Sequence, residues 1–140
     1  MTRIDFYQLN PQQHNPYHIV CQLCQKAYDS DQRTLLLTKS TQQTTDLDQQ
    51  LWIFNEDSFL PHDTHVDGEP YSFLSPILIH NQPNPQDERQ ILINLSTLIP
   101  SYFAQFERVI ELVTEDNKQS AREHYTFYKE RGYLLNHHTL

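Results

Sequence analysis

The sequence predicts a three-layer α/β/α fold, in which helices cover both faces of a mostly parallel sheet. Short continuous apolar runs such as TLLLT (Thr34–Thr38) and RVIELV (Arg108–Val113) are typical of strands buried on both sides. Segments with helical spacing of apolar residues separate these runs. The chain has 140 residues, 37% of them apolar, which suits one domain with one core. We therefore expect residues 1–140 to form a single α/β domain.

The first half of the chain alternates strand and helix twice. IDFYQL (Ile4–Leu9) is a β-rich run that ends at a turn-forming Asn-Pro pair. Asn15 is a suitable N-cap for a helix from Pro16 to about Tyr28. After the strand at Thr34–Thr38, the apolar spacing of TTDLDQQLWIF predicts a second helix over Thr44–Phe54.

The second half begins with an irregular stretch from Asn55 to Pro76 and then returns to alternation. The loop NQPNPQDERQ is polar, and from its sequence we expect no apolar side chain in it to be buried. The predicted elements around it are buried strands at Pro76–His80 and Ile91–Ser96, a short helix around Ser101–Phe106, a strand at Arg108–Val113 and a terminal helix from about Glu115 to Arg131.

Charge and hydropathy exclude two broad classes of protein. The chain has 18 acidic and 10 basic residues, a net charge of −8, which opposes general binding to nucleic acid. No apolar run approaches the ~20 residues that cross a bilayer. The opening MTRIDFYQL also lacks the basic-then-apolar pattern of a leader peptide. We expect a cytoplasmic protein that contacts neither membrane nor bare nucleic acid.

The scarcity of glycine argues against a nucleotide cofactor. Gly68 and Gly132 are the two glycines of the chain, and neither lies in a predicted strand-to-helix turn. In sheets of this type, glycines at such turns let backbone amides approach phosphate. The first turn here, NPQQHNP, has none. We therefore predict a Rossmann-like fold without a nucleotide site and without a cofactor.

Two motifs leave open an alternative from another class, a metal-dependent or thiol redox enzyme. Cys21 and Cys24 form CQLC, but Cys21 lies about five residues inside the predicted helix, where the helix N-terminus cannot lower its pKa. Ordinary packing of both cysteines is favoured. HDTHVD (residues 62–67) could bind zinc, but no motif supplies a second ligand cluster. We expect solvated loop residues there, no metal and no catalytic group.

The terminal helix concentrates positive charge. At about 100° per residue, one arc of roughly 100° holds three cations, an aromatic ring and a threonine, with no carboxylate. We call this surface the cationic arc; its residues are Lys118, Arg122, Tyr125, Thr126 and Lys129. A charge run can be a merely solvated face. The other interpretation is a cradle for an anionic peptide, with cations for its carboxylates and a ring for an apolar anchor.

A second unusual feature is the apolar triplet FLP (Phe59–Pro61) in the polar loop DSFLPHD. Phe59 and Leu60 either pack into the protein's own core or form an exposed patch for a partner. Composition does not choose between the two.

Four motifs spread over the chain give it a family resemblance: FYQL (Phe6–Leu9), LWIFNEDSFLPHD (Leu51–Asp63), ILINLS (Ile91–Ser96) and AREHYTFYKERGYLLN (Ala121–Asn136). In this combination the chain resembles the chi subunit of the bacterial DNA polymerase III holoenzyme, an accessory of the clamp loader. The resemblance implies an α/β fold without a nucleotide site and without enzyme activity.

The resemblance also implies partners and site residues. Chi proteins bind the acidic, phenylalanine-ended C-terminal tail of single-stranded DNA-binding protein (SSB). In the family an Arg and a Tyr three residues apart hold that tail, and they match Arg122 and Tyr125. The best-known members carry a lysine where this chain has Thr126, and Lys129 lies one turn beyond Tyr125 on the same arc.

Chi proteins also pair with the small psi subunit, which tethers them to the clamp loader. The family's psi-contacting phenylalanine matches Phe59, followed by Leu60 and Pro61. The predicted function is a non-catalytic replication adaptor between the clamp loader and SSB. A second adaptor interpretation docks Phe59 onto a DNA-repair helicase instead of psi.

Overall fold

The computed structural model describes the chain except for Pro11, His14, Ser72 and residues 55–59 and 65–70. In the described part, seven strands form one sheet in the order β3-β4-β2-β5-β6-β1-β7, and every neighbouring pair is parallel. The elements are β1 (Arg3–Gln8), α1 (Pro16–Asp29), β2 (Thr34–Leu37), α2 (Thr41–Ile53), β3 (Asp63–Thr64), β4 (Ile77–His80), β5 (Ile91–Asn94), β6 (Arg108–Val113), α3 (Lys118–Glu130) and β7 (Leu134–Thr139). The predicted mostly parallel α/β fold is confirmed.

Helices cover both faces of this sheet. Helices α1 and α2 contribute Val20 and Leu47 to a core that includes Leu36 of β2. On the other face, Tyr128 of α3 packs in a second core with Leu35, the neighbour of Leu36 along the strand. Every residue of β2 and β5 is buried because successive side chains enter opposite cores. None of the helices in the described ranges is long and apolar enough to cross a membrane.

Side-chain caps set where the helices begin. The Asn15 side chain accepts a hydrogen bond from the Tyr17 amide at 3.0 Å, as predicted for the start of α1. Helix α2 begins at Thr41, earlier than the predicted Thr44, because Ser40 caps it and accepts from the Gln43 amide at 3.1 Å. Sequence reasoning counted only the apolar spacing and overlooked this cap.

The C-terminal third differs from the prediction in three ways. The first turn of the terminal helix is a 3-10 turn at Glu115–Asn117, and α3 begins at Lys118. The short helix predicted around Ser101–Phe106 is a single 3-10 turn, Phe103–Gln105. Strand β7 was not predicted at all. Gly132, at φ +78°, ends α3 and turns the chain into β7; its amide donates to the Lys129 carbonyl at 3.0 Å.

The polar loop at residues 81–90 buries more than the sequence suggested. Pro83, Asp87 and Arg89 are all buried. Nε of Arg89 donates to Asp87 at 2.7 Å, and the Tyr71 hydroxyl donates to the same carboxylate oxygen at 2.8 Å. Arg89 also donates to the Thr34 carbonyl at 3.2 Å. A buried ion pair with these additional hydrogen bonds fixes the loop against the amino end of β2.

Candidate functional site

Helix α3 presents the cationic arc to solvent. Its side toward the sheet carries the buried Ala121, His124 and Tyr128, while Arg122 and Tyr125 are exposed. Tyr125 retains 38% exposure, so its ring lies at the surface with one edge against the protein. The helical spacing of the sequence predicted this orientation of the helix, with the cationic arc toward solvent.

A buried carboxylate of strand β6 fixes the rotation of α3. Glu111 accepts three hydrogen bonds: from the side-chain amide of Asn94 at 3.0 Å, Nδ1 of His124 at 2.9 Å and the hydroxyl of Tyr128 at 2.8 Å. Nε2 of His124 lies 2.9 Å from the Thr97 carbonyl oxygen. Two α3 residues one turn apart therefore share one acceptor in the sheet, and the outward face of the helix is set by these contacts.

Both ring nitrogens of His124 face acceptors, so the ring donates at both only when it is protonated. Burial alone would lower the pKa of His124, but the hydrogen bond and charge of Glu111 and the contact with the Thr97 carbonyl raise it above the ordinary value of 6.5. Burial, together with the negative charge of Glu111, raises the pKa of Tyr128. The buried group is therefore a His124–Glu111 ion pair with a neutral tyrosine beside it.

A cleft of about 290 Å³ lies between α3 and the strands β1, β6 and β7. We call it the α3 cleft; its residues are Phe6, Gln8, Val113, Lys118, Ala121, Arg122, Tyr125 and His137. Phe6, only 2% exposed, meets the Tyr125 ring edge-to-face with centroids 5.4 Å apart. Apolar and aromatic groups thus lie beside two cations, which suits an anionic peptide with an apolar side chain.

The structure brings three residues of the cationic arc together in this cleft: Lys118, Arg122 and Tyr125. Thr126 lines a second, shallow depression on the outer face of α3, which Arg122 also borders. Lys129 is exposed one turn beyond Tyr125 and borders neither. Thr126 and Lys129 therefore lie farther from a cleft ligand than the arc alone suggested.

Lys118 also has a carboxylate neighbour that the arc did not include. Its Nζ lies 3.1 Å from Oε2 of Glu115 in the preceding 3-10 turn, and both side chains are about half exposed. An exposed pair of this kind contributes little to stability, because solvent screens it. Of the two cations that line the α3 cleft, Lys118 has this ion pair, and Arg122 has none within the described part of the chain.

Sequence reasoning missed the strand side of the cleft. Phe6, Gln8, Val113 and His137 come from three strands, and His137 belongs to the unpredicted β7. The register of β1 and β7 places Phe6 opposite His137. The only available signal was the FYQL opening, which was interpreted as a strand but not as part of a site.

The predicted partner patch is only partly within the described residues. Phe59 lies outside them. Leu60 is 3% exposed and packs in the core with α1 and α2, so its side chain is not available as an exposed contact. Pro61 is partly exposed. The prediction that Leu60 contacts a partner is therefore wrong. Leu60 follows the end of α2 closely enough for its side chain to reach the core beneath that helix.

The neighbouring histidine is buried, contrary to the expectation of a solvated loop. Nδ1 of His62 lies 2.8 Å from the Leu60 carbonyl oxygen, and Nε2 lies 3.0 Å from Oδ1 of Asp48 on α2. These contacts hold the loop against the helix. Residues 65–67 of HDTHVD lie outside the described part.

Two large apolar side chains at the end of α2 were not assigned a role from the sequence. Trp52 is 55% exposed and Ile53 is 66% exposed. The Trp52 ring makes an edge contact with the His62 ring, with centroids 4.8 Å apart. They precede the FLP loop, so this end of α2 adds exposed apolar surface to the region in which a partner was predicted.

The cysteines and the acidic and histidine side chains show no sign of a redox or metal centre in the ranges described. Cys21 and Cys24 are buried free thiols. Burial raises the pKa of Cys21 to about 11 and also raises that of Cys24. Among the described residues, no group of three or more His, Cys, Asp or Glu side chains is placed to hold a metal ion.

A larger cleft of about 460 Å³ lies at the carboxyl ends of β2, β5 and β6, the edge where doubly wound folds bind their ligands. Its lining includes Tyr17, Lys39, Ser96 and Thr114 and, as far as the structure describes it, no glycine. The glycine-free turns that the sequence indicated therefore border this cleft.

Comparison with known proteins identifies the family. The family model described as "DNA polymerase III chi subunit, HolC" matches residues 1–136. The chain belongs to the chi-subunit family of DNA polymerase III. It is 33% identical to DNA polymerase III subunit chi of Pseudomonas aeruginosa, over 100% of this chain and 98% of the relative. It is 31% identical to the Haemophilus influenzae subunit and 32% identical to the Escherichia coli subunit, over 84% of this chain in both cases and 82% and 81% of the relatives.

The family assignment confirms the resemblance inferred from the four motifs. A chi-family chain is an accessory, non-catalytic subunit of a replication polymerase.

Proposed function

We propose that this chi-family protein is a non-catalytic adaptor that joins the polymerase III clamp loader to SSB, and that the α3 cleft holds the acidic C-terminal tail of SSB. The observation that carries the proposal is the placement of Arg122 and Tyr125 beside the buried Phe6 in a single cleft of about 290 Å³.

The chemistry of the cleft suits a peptide that ends in phenylalanine. Such a residue carries an α-carboxylate and a phenyl ring close together. The Arg122 guanidinium can grip the carboxylate with two parallel hydrogen bonds, whereas a lysine offers only a point charge. The phenyl ring can then pack on Tyr125 and Phe6, which already meet edge-to-face.

The overall charge of the protein limits which acidic ligands can bind. At a net charge of −8, the molecule repels polyanions at long range. Binding therefore depends on short-range contacts within the cleft. A short tail with a terminal anchor meets this requirement, and an extended nucleic acid backbone does not.

The second connection of the adaptor is proposed for the end of α2. Trp52 and Ile53 are exposed there, Pro61 is partly exposed, and Phe59 falls in the adjoining segment. Aromatic side chains are preferred anchors of protein interfaces. The proposed occupant is the psi subunit of the clamp loader, with a DNA-repair helicase as its competitor for the same surface.

The two surfaces lie on opposite sides of the sheet. Helix α2 packs on β3 and β4 at one end of the strand order, and α3 packs on β6 and β7 at the other. A partner bound at Trp52 therefore leaves the α3 cleft open. This separation supports a bridging role, since an adaptor must hold both partners at once.

Isothermal titration with a synthetic acidic peptide tests the tail proposal. One peptide ends in free Phe, a second lacks that residue, and a third ends in Phe amide. We expect binding of the first and large losses for both others, because one lacks the ring and the other lacks the terminal carboxylate. Equal binding of all three peptides would show that the cleft recognises only negative charge and would contradict the proposal.

A further inference from the structure

The edge strand β7 contributes one side chain to the α3 cleft. His137 lies opposite Phe6 in the parallel register of β1 and β7 and lines the cleft together with Arg122 and Tyr125. The next residue, His138, points to the other face of the strand. Its ring stacks on Tyr7 with centroids 4.6 Å apart, and its Nε2 lies 3.3 Å from Oδ1 of Asp5. Two adjacent histidines thus lie in opposite surroundings.

Among the described residues that line the α3 cleft, His137 has two cations as neighbours and no carboxylate. Helix α3 faces it with Lys118, Arg122 and Tyr125, whereas β1 and β6 offer Phe6, Gln8 and Val113. Glu115 lies against Lys118 in the turn before α3. Asp5 bonds with His138 on the far side of the sheet. No ion pair or hydrogen bond of the His137 ring occurs in the part of the chain that the structure describes.

We propose that His137 is a specificity-determining residue of this cleft: it closes the strand side opposite Arg122 and donates a hydrogen bond to a carboxylate of the bound acidic peptide. This inference rests on the proposed function of the cleft. A neutral imidazole can donate one hydrogen bond, and a protonated one brings a full positive charge as well. Carboxylate binding therefore favours the protonated ring.

A dependence on pH follows from this arrangement. Histidine is the side chain whose charge ordinarily changes between about pH 5 and 8. In the cleft a protonated His137 adds a third cation to Lys118 and Arg122, so the acidic peptide should bind more tightly as pH falls through that range. The other histidine of this region, His124, faces the sheet and is bonded to Glu111 and Thr97. Any contribution from His124 is common to the wild type and to a His137 variant.

The matched test uses the two neighbouring histidines. The acidic peptide ending in free Phe is titrated at pH 6 and pH 8, at constant ionic strength, into the wild type, His137→Gln, His138→Gln and Arg122→Ala. We expect the wild type to bind about twofold to fivefold more tightly at pH 6, which lies within the range that an exposed ion pair gives. His137→Gln should lose this difference, and His138→Gln should keep it.

A second measurement follows the His137 ring directly by NMR. In the wild-type protein at pH 6 the His137 ring resonances should shift when the peptide binds, because the proposed carboxylate lies against this ring, whereas the His138 ring on the other face of the strand should not respond. This reading does not depend on how the variants fold. Unchanged His137 resonances on peptide addition, or a His137→Gln variant with wild-type affinity at both pH values, would overturn the inference.

The controls separate the two levels of the proposal. If Arg122→Ala loses peptide binding while His137→Gln does not alter it, the tail site stands and the role of His137 is wrong. If Arg122→Ala binds as the wild type does, or the wild type does not bind, the proposed function of the cleft fails and the inference fails with it.

Discussion

Nδ1 of His124 lies 2.9 Å from Oε1 of Glu111, and this contact joins the central part of helix α3 to strand β6. The other carboxylate oxygen accepts from Tyr128 and Asn94, so one buried side chain of the sheet bonds to both α3 and β5. The position of Arg122 and Tyr125 over the α3 cleft therefore depends on a buried carboxylate that does not itself line the cleft.

Replacing Glu111 with alanine should destabilise the protein. The change removes the acceptor of three buried donors and leaves the His124 cation without its counter-ion. Breaking one partner of a buried pair typically costs about 3–5 kcal/mol. Urea denaturation measures the loss, with the exposed Glu123→Ala on the same helix as a control that should stay within about 0.5 kcal/mol. A loss below about 1 kcal/mol for Glu111→Ala would mean that water replaces the network.

The same pair predicts how stability changes with pH. The pKa of His124 is raised in the folded state, so the unfolded chain loses its proton at lower pH than the folded one. The stabilisation is complete below the unfolded value of about 6.5 and is lost as pH rises through the higher folded pKa. We expect the free energy of unfolding to fall over this range more steeply in the wild type than in His124→Gln. Parallel pH profiles for the two proteins would contradict this prediction.

The cysteines should be inert near neutral pH. Burial raises the pKa of Cys21 to about 11, and it raises that of Cys24 as well. The thiolate is the reactive form, so neither thiol should react quickly in the folded protein. Titration with a thiol reagent at pH 7 should give slow labelling in native protein and two rapidly labelled thiols in urea. Rapid native labelling of either cysteine would revive the redox interpretation.

The sequence was most informative for strands whose side chains enter a core on each face of the sheet. TLLLT, ILIN and RVIELV each form a strand of the sheet, because continuous apolar runs too short for a helix are typical of strands covered on both faces. Strand β7 was missed because LLNHHT lies at an edge of the sheet, where four of its six residues are exposed, and its sequence has no apolar periodicity. Its pairing with β1 depends on the turn at Gly132 and on long-range hydrogen bonds, which no local pattern encodes.

The candidate site also has a part that the sequence predicted and a part that it did not. Helical periodicity placed Arg122 and Tyr125 on one exposed face, because both lie on a single element. It could not supply Phe6 or His137, which reach the cleft only through the order of the strands. Leu60 was ambiguous in sequence for a related reason: much of the core that receives it comes from α1 and from strands β5 and β6, which are distant from it along the chain.

Leu60 and Trp52 should respond differently to truncation. Leu60→Ala removes a buried side chain and should cost roughly 2–5 kcal/mol in unfolding free energy. Trp52→Ala changes a half-exposed ring, so thermal stability should fall much less, while capture of psi in a pull-down weakens. Phe59→Ala is expected to behave as Trp52→Ala does. A Trp52→Ala variant that is fully stable and captures psi as the wild type does would remove this end of α2 from the interface.

Arg122 should dominate binding of the SSB tail. Truncating it to alanine leaves the terminal carboxylate without its bidentate partner, at a cost of about 2–3 kcal/mol. Lys129 is exposed and borders no part of the cleft, so its truncation should cost about 1 kcal/mol or less. Tyr125→Ala should lie between them, because it removes the ring beside Phe6 but leaves the cations.

Salt separates the two parts of this binding. Raising the ionic strength screens the exposed cations, so the wild-type affinity should fall markedly. At high salt it should reach a constant value, set by the apolar contacts with Phe6 and Tyr125. Arg122→Ala should show a shallower dependence because one charge contact is already absent. Arg131→Ala, which removes the same charge from the end of α3 where Arg131 stacks on Phe127 at 3.5 Å, is the matched control and should retain the wild-type slope. Wild-type affinity in Arg122→Ala, or an equal loss in Arg131→Ala, would show that the cationic arc is only a solvated face of the helix.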